Sequence, residues 1–477
     1  EKSPRDWSCS FTHRSIMYVP DDTIAAVATP PGPGGIGVVR ISGPDAATTA
    51  RAILLRTAPL EPRLATVTVV VSRGESQPID RVLATYFPAP KSYTGEDVVE
   101  ISAHGSPVLL RRIIELAVSA GARLAEPGEF TLRAFVNGRI DLVQAEAVRD
   151  LINAVTPLQA RAAFDQLEGT ITAQISEIES ALFDLVVRLE ASIDFPEEGY
   201  HFVDADEAGI SIRQLIERTE QLLVDAQRGR LIREGSQIVV LGKPNVGKST
   251  LFNRLLGSPR AIVTKVAGTT RDLLAETLDL NGIPVTLVDT AGIRSTGDAI
   301  ESEGVRRAKA ALKVARMVIV VLDRSRPLEK EDAELIADTA TLTRLLVINK
   351  TDLPPAWTEV EGNRGTALDN GDNAISVSLL EDSPDAATRV FVAITKTLLA
   401  GEELRDPPAI TNLRHIELLE QAQGALLRAA DAADAKSPEE FLLSDLVDAQ
   451  RALGAVTGQR TPDDVLNRIF SEFCIGK

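Results

Sequence analysis

Cysteine is almost missing from this 477-residue chain. The two that occur, Cys9 and Cys474, stand at opposite ends, which excludes a disulfide framework and points to a reducing, cytoplasmic setting. Long apolar runs are missing too: none approaches the roughly 18 residues of a membrane-spanning helix, so no membrane role is expected. Positive charge is in deficit, with 51 Lys and Arg against 68 Asp and Glu for a net charge of −17. That balance excludes non-specific nucleic-acid binding through a broad basic face, and any RNA contact must be local or supplied by a partner. The chain does not start with Met and shows no apolar signal core; Met17 reads as an internal start, and residues 1–17 as a disordered leader. Gly34, Gly35 and Gly37 sit between two strand-like runs with the wrong spacing for G-x-G-x-x-G, which excludes a dinucleotide fingerprint. The terminal Cys474-Ile-Gly-Lys477 ends in lysine and follows Ser471-Glu-Phe473, acidic and apolar rather than polybasic, so prenylation is not expected. An inert lone thiol and a thiolate stabilised by the neighbouring lysine both fit Cys474.

What is present is a nucleotide site. Directly after the apolar run Gln237–Leu241 comes Gly242-Lys243-Pro244-Asn245-Val246-Gly247-Lys248-Ser249-Thr250, a residue-for-residue match to G-x-x-x-x-G-K-[ST]. Glycines let successive backbone N–H groups face phosphate oxygens. Lys248 neutralises the β/γ charge and is a catalytic candidate, while the Ser249 hydroxyl can hold Mg2+. Asp289-Thr290-Ala291-Gly292 closes the run Val285–Val288, where a carboxylate reaches Mg2+ through water and the Gly292 amide meets the γ-phosphate. Asn349-Lys350-Thr351-Asp352 closes Leu345–Ile348, and Asp352 can accept two hydrogen bonds from guanine that adenine cannot donate. A site built on such polar pairs rejects the wrong base by roughly 10⁴-fold, which selects GTP over ATP. Ser378 stands where a loop backs the guanine ring, although Leu379 replaces the small residue expected next. Between these elements, Gly268-Thr269-Thr270-Arg271-Asp272 reads as a switch whose Thr270 completes the Mg2+ shell. Ordinary turns capping a parallel sheet explain any one element but not all of them in order.

The hydrolytic water needs an unusual partner, because Ile293 follows the Asp-Thr-Ala-Gly motif where Ras-type enzymes use a nearby glutamine. Asn245 offers an oxygen near the β/γ bridge, where a monovalent cation such as potassium could replace an arginine finger. A plain turn-former after Pro244 accounts for Asn245 equally well.

The expected organisation is multidomain, α/β and α+β. After the leader, residues 18–137 form an N-terminal α+β domain: strands around Pro30–Gly35, then Val67–Val71, Val82–Phe87 and Val98–Ser102, and a helix over Val108–Ala120. From Leu167, the positions Ile171, Ile175, Ile178, Leu182, Leu185, Leu189 and Ile193 keep three-and-four spacing, the stripe of one long helix. Ile212, Leu215, Thr219, Leu222 and Ala226 suggest a second. The pattern resumes at Ile416, Leu419, Ala422 and Leu426, then at Leu442, Leu446, Ala449, Leu453 and Val456, and Thr461-Pro-Asp-Asp464 reads as a capped start of a last helix. The Ras-like P-loop GTPase domain, 233–402, is therefore inserted into a helical-bundle domain whose parts are 138–232 and 403–477, and nucleotide-driven motion can pass to the bundle.

The chain from about Asp22 to Lys477 resembles the MnmE (TrmE) family of tRNA modification GTPases. The resemblance rests on Ala28-Thr-Pro-Pro-Gly32, Arg40-Ile-Ser-Gly43, Ser92-Tyr-Thr-Gly-Glu-Asp97, His104-Gly105, Pro127-Gly-Glu-Phe130, Asp141-Leu-Val-Gln-Ala-Glu146, the inserted GTPase and the tail Cys474-Ile-Gly-Lys477. It implies a homodimer held by N-terminal domains that bind 5-formyltetrahydrofolate or a related one-carbon folate. It also implies an FAD-dependent partner, MnmG, in a heterotetrameric complex that adds a carboxymethylaminomethyl-type group to C5 of the wobble uridine in the anticodon region of certain tRNAs. By motif match, Arg40, Glu100, Arg139 and Lys477 correspond to folate-pocket positions; the family carries lysine where this chain has Arg139, which keeps charge and changes donor geometry. The resemblance makes Asn245 a potassium ligand, aided by Thr264, Val266 and Thr269 of a nucleotide-contacting loop that also holds Lys265 and Ala267. It makes Glu301 the group that positions the attacking water and Cys474 a residue needed for modification. The rival reading is a ribosome-assembly or regulatory GTPase without modification chemistry. It leaves the N-terminal domain without a role, and no KH-type G-x-x-G module follows the GTPase.

Overall fold

The computed structural model describes residues 22–72, 78–194, 205–224, 226–257, 275–289, 315–357, 373–380, 384–399, 410–459 and 461–476. They divide into two compact units, one formed by the chain up to Arg149 together with the chain from Gln450 onward, the other by Asp150–Ala449.

The first unit is built on a six-stranded sheet. Its strands are β1 (Ile24–Val27), β2 (Gly34–Ser42), β3 (Thr66–Val71), β4 (Pro78–Phe87), β5 (Val98–Gly105) and the two-residue β6 (Arg123–Leu124), in the order β3-β4-β5-β2-β1-β6. All pairings are antiparallel except β1 with β6. Alternation decides its faces: Val39, Ile41, Val82, Ala84, Ile101 and Ala103 are buried, with α1 (Ala46–Ile53) and α2 (Pro107–Ser119) packed on that side through Ala50, Ile53, Leu110 and Ile113. Arg40 and Glu100 alternate to the opposite face and are register partners. Beyond the sheet lie α3 (Glu129–Val136) and α4 (Leu142–Asn153). The run Val108–Ala120 is a helix as expected; α1, α3 and α4 are additions that the sequence reading did not resolve.

The second unit holds the GTPase sheet: β7 (Ser236–Leu241), β8 (Ala275–Leu280), β9 (Ile283–Asp289), β10 (Met317–Asp323), β11 (Arg344–Asn349) and β12 (Asn373–Ser376), ordered β12-β11-β10-β7-β9-β8. Every pairing is parallel except the β8–β9 hairpin at the edge. Both faces are covered, so the strands read as continuous apolar runs; Met317–Leu322 are all fully buried. One face packs on α9 (Lys248–Leu256) and α11 (Pro384–Leu398) through Leu251, Leu255, Val390 and Ile394, the other against α10 (Lys330–Asp338) through Ile336.

The helical stripes are buried where the periodicity places them, with two differences. The long stripe from Ile171 to Ile193 lies in one helix, α6 (Thr170–Asp194), as expected, and Gly169, at φ +82, sets it off from the preceding α5 (Pro157–Leu167). Ala226 opens α8 (Ala226–Glu234) rather than continuing α7 (Ala205–Leu223). In the C-terminal part, α12 (Leu413–Asp434) packs against α7, joining segments from either side of the inserted GTPase, and α13 (Glu439–Thr457) follows. The last helix, α14 (Asp463–Ser471), is not capped by Thr461: Pro462 holds the cap position without a side-chain bond, and the Thr461 hydroxyl donates to Ala455 O at 3.3 Å. No described helix is long and apolar enough to cross a membrane.

Candidate functional site

Parallel register brings the nucleotide motifs to one edge of the second sheet. Asp289 closes β9 opposite Val240 of β7, and Asn349 closes β11 opposite Asp323 of β10, so the loops after β7, β9 and β11 emerge side by side. The loop Gly242–Gly247 then turns into α9. Gly242 and Gly247 take φ of +148 and +106, and a Cβ on either would strike, respectively, the Val321 carbonyl and the Asn349 amide. Only glycine permits that close packing, which leaves loop amides at a helix N-terminus for phosphate. Asn245 occupies left-handed backbone at φ +64 and is exposed at the loop tip. Lys248 is buried, and its Nζ donates to the carbonyls of Gly242 at 2.8 Å and Lys243 at 2.7 Å. Its ammonium is thus held over the loop that would wrap the phosphates.

Asn349 ties the base-side loops to the phosphate loop. Its Nδ2 donates to Val246 O at 2.7 Å, and its Oδ1 accepts from the Leu379 N–H at 3.0 Å. Ser378 donates its hydroxyl to Asp352 Oδ1 at 2.6 Å, which fixes that carboxylate. Leu379 is fully buried in the sheet core; the large residue is accommodated because its side chain turns inward while its amide serves Asn349. Lys350, at φ +65, extends to Asp323 Oδ2 at 2.5 Å. Burial would raise the Asp323 carboxyl, but hydrogen bonds from Lys350 and Ser325 outweigh it and hold the group below the ordinary range. Trp357 Nε1 donates to the Asp323 carbonyl at 3.1 Å. Asp323, which holds Lys350 of the Asn349–Asp352 loop, is a supporting residue the sequence reading missed. Its signal was available: it ends the buried run Met317–Leu322 as Asp289 ends β9.

Several expected site residues lie outside the described residues: Glu301, the loop Thr264–Thr270, Thr290, Ala291, Gly292 and the terminal Lys477. Of Asp289 only the backbone position is described.

In the first unit, Arg40 and Glu100 pair across β2 and β5, with Arg40 Nε at 2.9 Å and Nη2 at 2.8 Å from Glu100 Oε1. The Arg40 guanidinium lies 5.0 Å from the Tyr93 ring centroid and 5.6 Å from that of Phe130, and donates to Gly476 O at 3.4 Å. The C-terminal tail is drawn there by its own sequence. Phe470 and Phe473 are buried with Leu132 and Leu142, Ile475 bridges Pro127, and the Gly128 N–H meets Cys474 O at 3.4 Å. Gly476, at φ +99, passes so close to Val27 that a Cβ would collide with its carbonyl. Cys474 itself is exposed. Arg139 packs its stem beside Gly95, where a Cβ would lie 3.2 Å from Arg139 Cγ, and no hydrogen bond joins it to Arg40 or Glu100. Three of the four proposed folate positions are therefore described, and two of them touch.

Sequence reading also missed what fixes this region. Arg133 is fully buried and contacts Asp22 and Glu129, the latter at 3.0 Å, with Glu96 at 3.1 Å. Arg123 adds bonds to Asp22 and Glu129, both at 2.6 Å. Burial alone would raise Asp22 and Glu129, yet the guanidinium hydrogen bonds hold both below their ordinary values. Glu96 also accepts from Ser42 Oγ at 2.8 Å, and Thr94 shares a 2.7 Å bond with the same hydroxyl. Much of the stretch from Ser92 to Asp97 thus serves architecture.

Two family models match the chain: residues 23–139 match the one described as GTP-binding protein TrmE N-terminus, and residues 142–474 the one described as MnmE helical domain. The protein named tRNA modification GTPase MnmE from Koribacter versatilis is 44% identical over 463 residues, covering 96% of this chain and 99% of the relative. Its namesake from Latilactobacillus sakei subsp. sakei is 40% identical over 468 residues, covering 96% and 98%. Among solved structures, an Era variant from Aquifex aeolicus bound to GDP and aluminium fluoride aligns at 26% identity over 40% of this chain and 67% of that one, with a TM-score of 0.27.

Proposed function

The chain belongs to the MnmE (TrmE) family, and from that premise we propose that it is a GTP-hydrolysing enzyme of tRNA modification. The observation that carries the reading is the bridge Asn349 makes between the phosphate loop and the Ser378–Leu379 loop, with Asp352 held ready beside it. That arrangement couples recognition of guanine to the grip on phosphate, and it sits in a chain similar to its relatives over nearly their whole length.

In this reading Lys248 and the loop amides bind the triphosphate, and Ser249 and Thr270 hold Mg2+. The loop suits phosphate, since Gly242 and Gly247 take positive-φ backbone and pack against Val321 and Asn349 more closely than any side chain allows, leaving the loop amides at the helix start. Asn245, with backbone carbonyls of Thr264, Val266 and Thr269, holds potassium; the Asn245 side chain projects from an exposed loop tip that leaves it available. Bound there, the cation supplies positive charge to the developing transition state. Glu301 orients the water in place of the missing glutamine.

The first unit takes the one-carbon folate at Arg40 and Glu100, with Arg139 and Lys477 completing the pocket. The reading is supported by the Arg40–Glu100 pair, whose guanidinium is fixed against Tyr93 and Phe130. Two copies pair through the N-terminal domains, domain limits follow 18–137, 138–232, 233–402 and 403–477, and an FAD-dependent MnmG partner joins them in the cytoplasm. The product is the carboxymethylaminomethyl-type group on C5 of the wobble uridine, with Cys474 required. Nucleoside mass spectrometry of tRNA from a strain lacking the gene tests this, with rescue by the intact chain and by Cys474→Ser. Loss of the modified uridine, restored only by the intact chain, is expected; unchanged tRNA would favour an assembly-factor GTPase.

A further inference from the structure

The β8–β9 hairpin connects two stretches assigned to nucleotide: β8 follows the sequence containing Thr264–Thr270, and β9 ends at Asp289. Its register pairs Leu280 with Ile283 and Ala275 with Val288, so the Asn281–Gly282 turn lies at the far end, about 20 Å from Asp289 at ordinary strand rise. That turn is where α5 docks. Thr156 Oγ1 donates to Gly282 O at 2.7 Å, and a Cβ on Gly282 would stand 2.6 Å from Leu158 Cβ.

The same helix holds both points where the chain passes into and out of the GTPase. Gln159 Nε2 donates to Arg233 O at 3.0 Å, just before β7, and Arg233 is clamped to Asp150 by bonds of 2.6 and 3.0 Å. At the other end of α5, Gln166 Nε2 donates to Thr411 Oγ1 at 2.8 Å, two residues before α12. A small cleft of about 70 Å³, lined by Asp150, Asn153, Gln159, Arg233 and Thr411, runs beside these contacts. Room and exchangeable polar contacts meet on one helix that is tied to the hairpin and to both crossings.

We infer that α5 is the coupling helix of this GTPase: nucleotide-dependent shifts of the β8–β9 hairpin are read by Thr156 and Leu158 and passed through Gln159 and Gln166 to the helical segments. Thr156 and Leu158 are positioning residues, acting through the hairpin rather than on GTP. The inference rests on the GTPase reading above.

Thr156 also caps α5, accepting from Gln159 N–H at 3.2 Å, so the test must separate capping from coupling. Aspartate caps as well as threonine but has no proton to donate to Gly282 O, whereas serine does both. Hydrogen–deuterium exchange would be followed on the full chain with GDP and with GDP, aluminium fluoride and potassium, alongside GTP hydrolysis. In the native chain and in Thr156→Ser, exchange over 157–167 changes between the two states, as it does over 242–250. In Thr156→Asp and in Leu158→Ala the 242–250 response persists, the 157–167 response falls about fivefold or more, and the KM for GTP stays within about twofold. A native α5 that ignores nucleotide while 242–250 responds, an undiminished α5 response in Thr156→Asp and Leu158→Ala, or a Thr156→Ser that behaves as Thr156→Asp would each overturn the inference. Absence of any response at 242–250 would instead sink the GTPase reading, and the inference with it.

Discussion

The two sheets place their functional residues in opposite ways. In the parallel sheet the strands are apolar on both faces, so side chains with chemistry stand at or beyond the strand ends: Asn349 is the last residue of β11, Asp352 lies in the loop that follows it, and Lys248 starts α9. In the antiparallel sheet one face is covered by α1 and α2 and the other is free to carry polar residues, so Arg40 and Glu100 sit mid-strand as register partners. A parallel sheet writes its site as short contiguous motifs; an antiparallel sheet scatters its site over strands distant in sequence. The polar cluster around Arg133 deepens the contrast, since the first unit uses buried ions for architecture where the GTPase sheet relies on Val, Ile and Leu.

The largest expected effect comes from separating chemistry from architecture in the GTPase. Lys248→Ala is expected to lower the rate of GTP hydrolysis by about 10²–10³-fold, the scale for losing a preorganised charge in the transition state, with thermal unfolding little changed. Steady-state hydrolysis and calorimetry check both halves. The converse belongs to Arg133→Met, which leaves Asp22, Glu96 and Glu129 without their shared guanidinium. It should destabilise the first unit by about 3–5 kcal/mol in denaturant unfolding, while hydrolysis by the GTPase stays within about twofold. If hydrolysis collapses with it, the division of labour between the sheets is wrong.

Those predictions also mark what was legible. The nucleotide motifs were readable because each spans a few residues at a strand end and its chemistry needs fixed spacing. The buried helix stripes from Ile171 to Leu189 were readable because one face repeats every three or four residues. Arg133 gave no comparable signal: its partners Asp22 and Glu96 are 111 and 37 residues away, and nothing local marks an arginine that will be fully buried. Thr461 misled because its hydroxyl donates to the Ala455 carbonyl and Pro462 takes the cap position, so it does not accept from the first turn of the helix.

A smaller effect is expected at the base. Asp352→Asn keeps the size of the side chain and the Ser378 hydroxyl beside it but loses the charged acceptor, and GTP affinity should fall roughly 10–100-fold, read by titration with a fluorescent guanine nucleotide. The mildest test is acid. Asp22 and Glu129 are held below their ordinary values of 3.8 and 4.5, so their stabilisation is complete above those values and is lost as pH falls through and below them. The first unit should therefore lose stability below about pH 4.5, and Arg133→Met should flatten that dependence in unfolding measured against pH.

The most direct test of the central claim, that this phosphate loop turns over GTP in the service of tRNA modification, is wobble-uridine nucleoside mass spectrometry in a strain lacking the gene and carrying either the intact chain or Lys248→Ala at equal abundance. The account predicts that the intact chain restores the modified uridine and Lys248→Ala does not; full restoration by Lys248→Ala would contradict it.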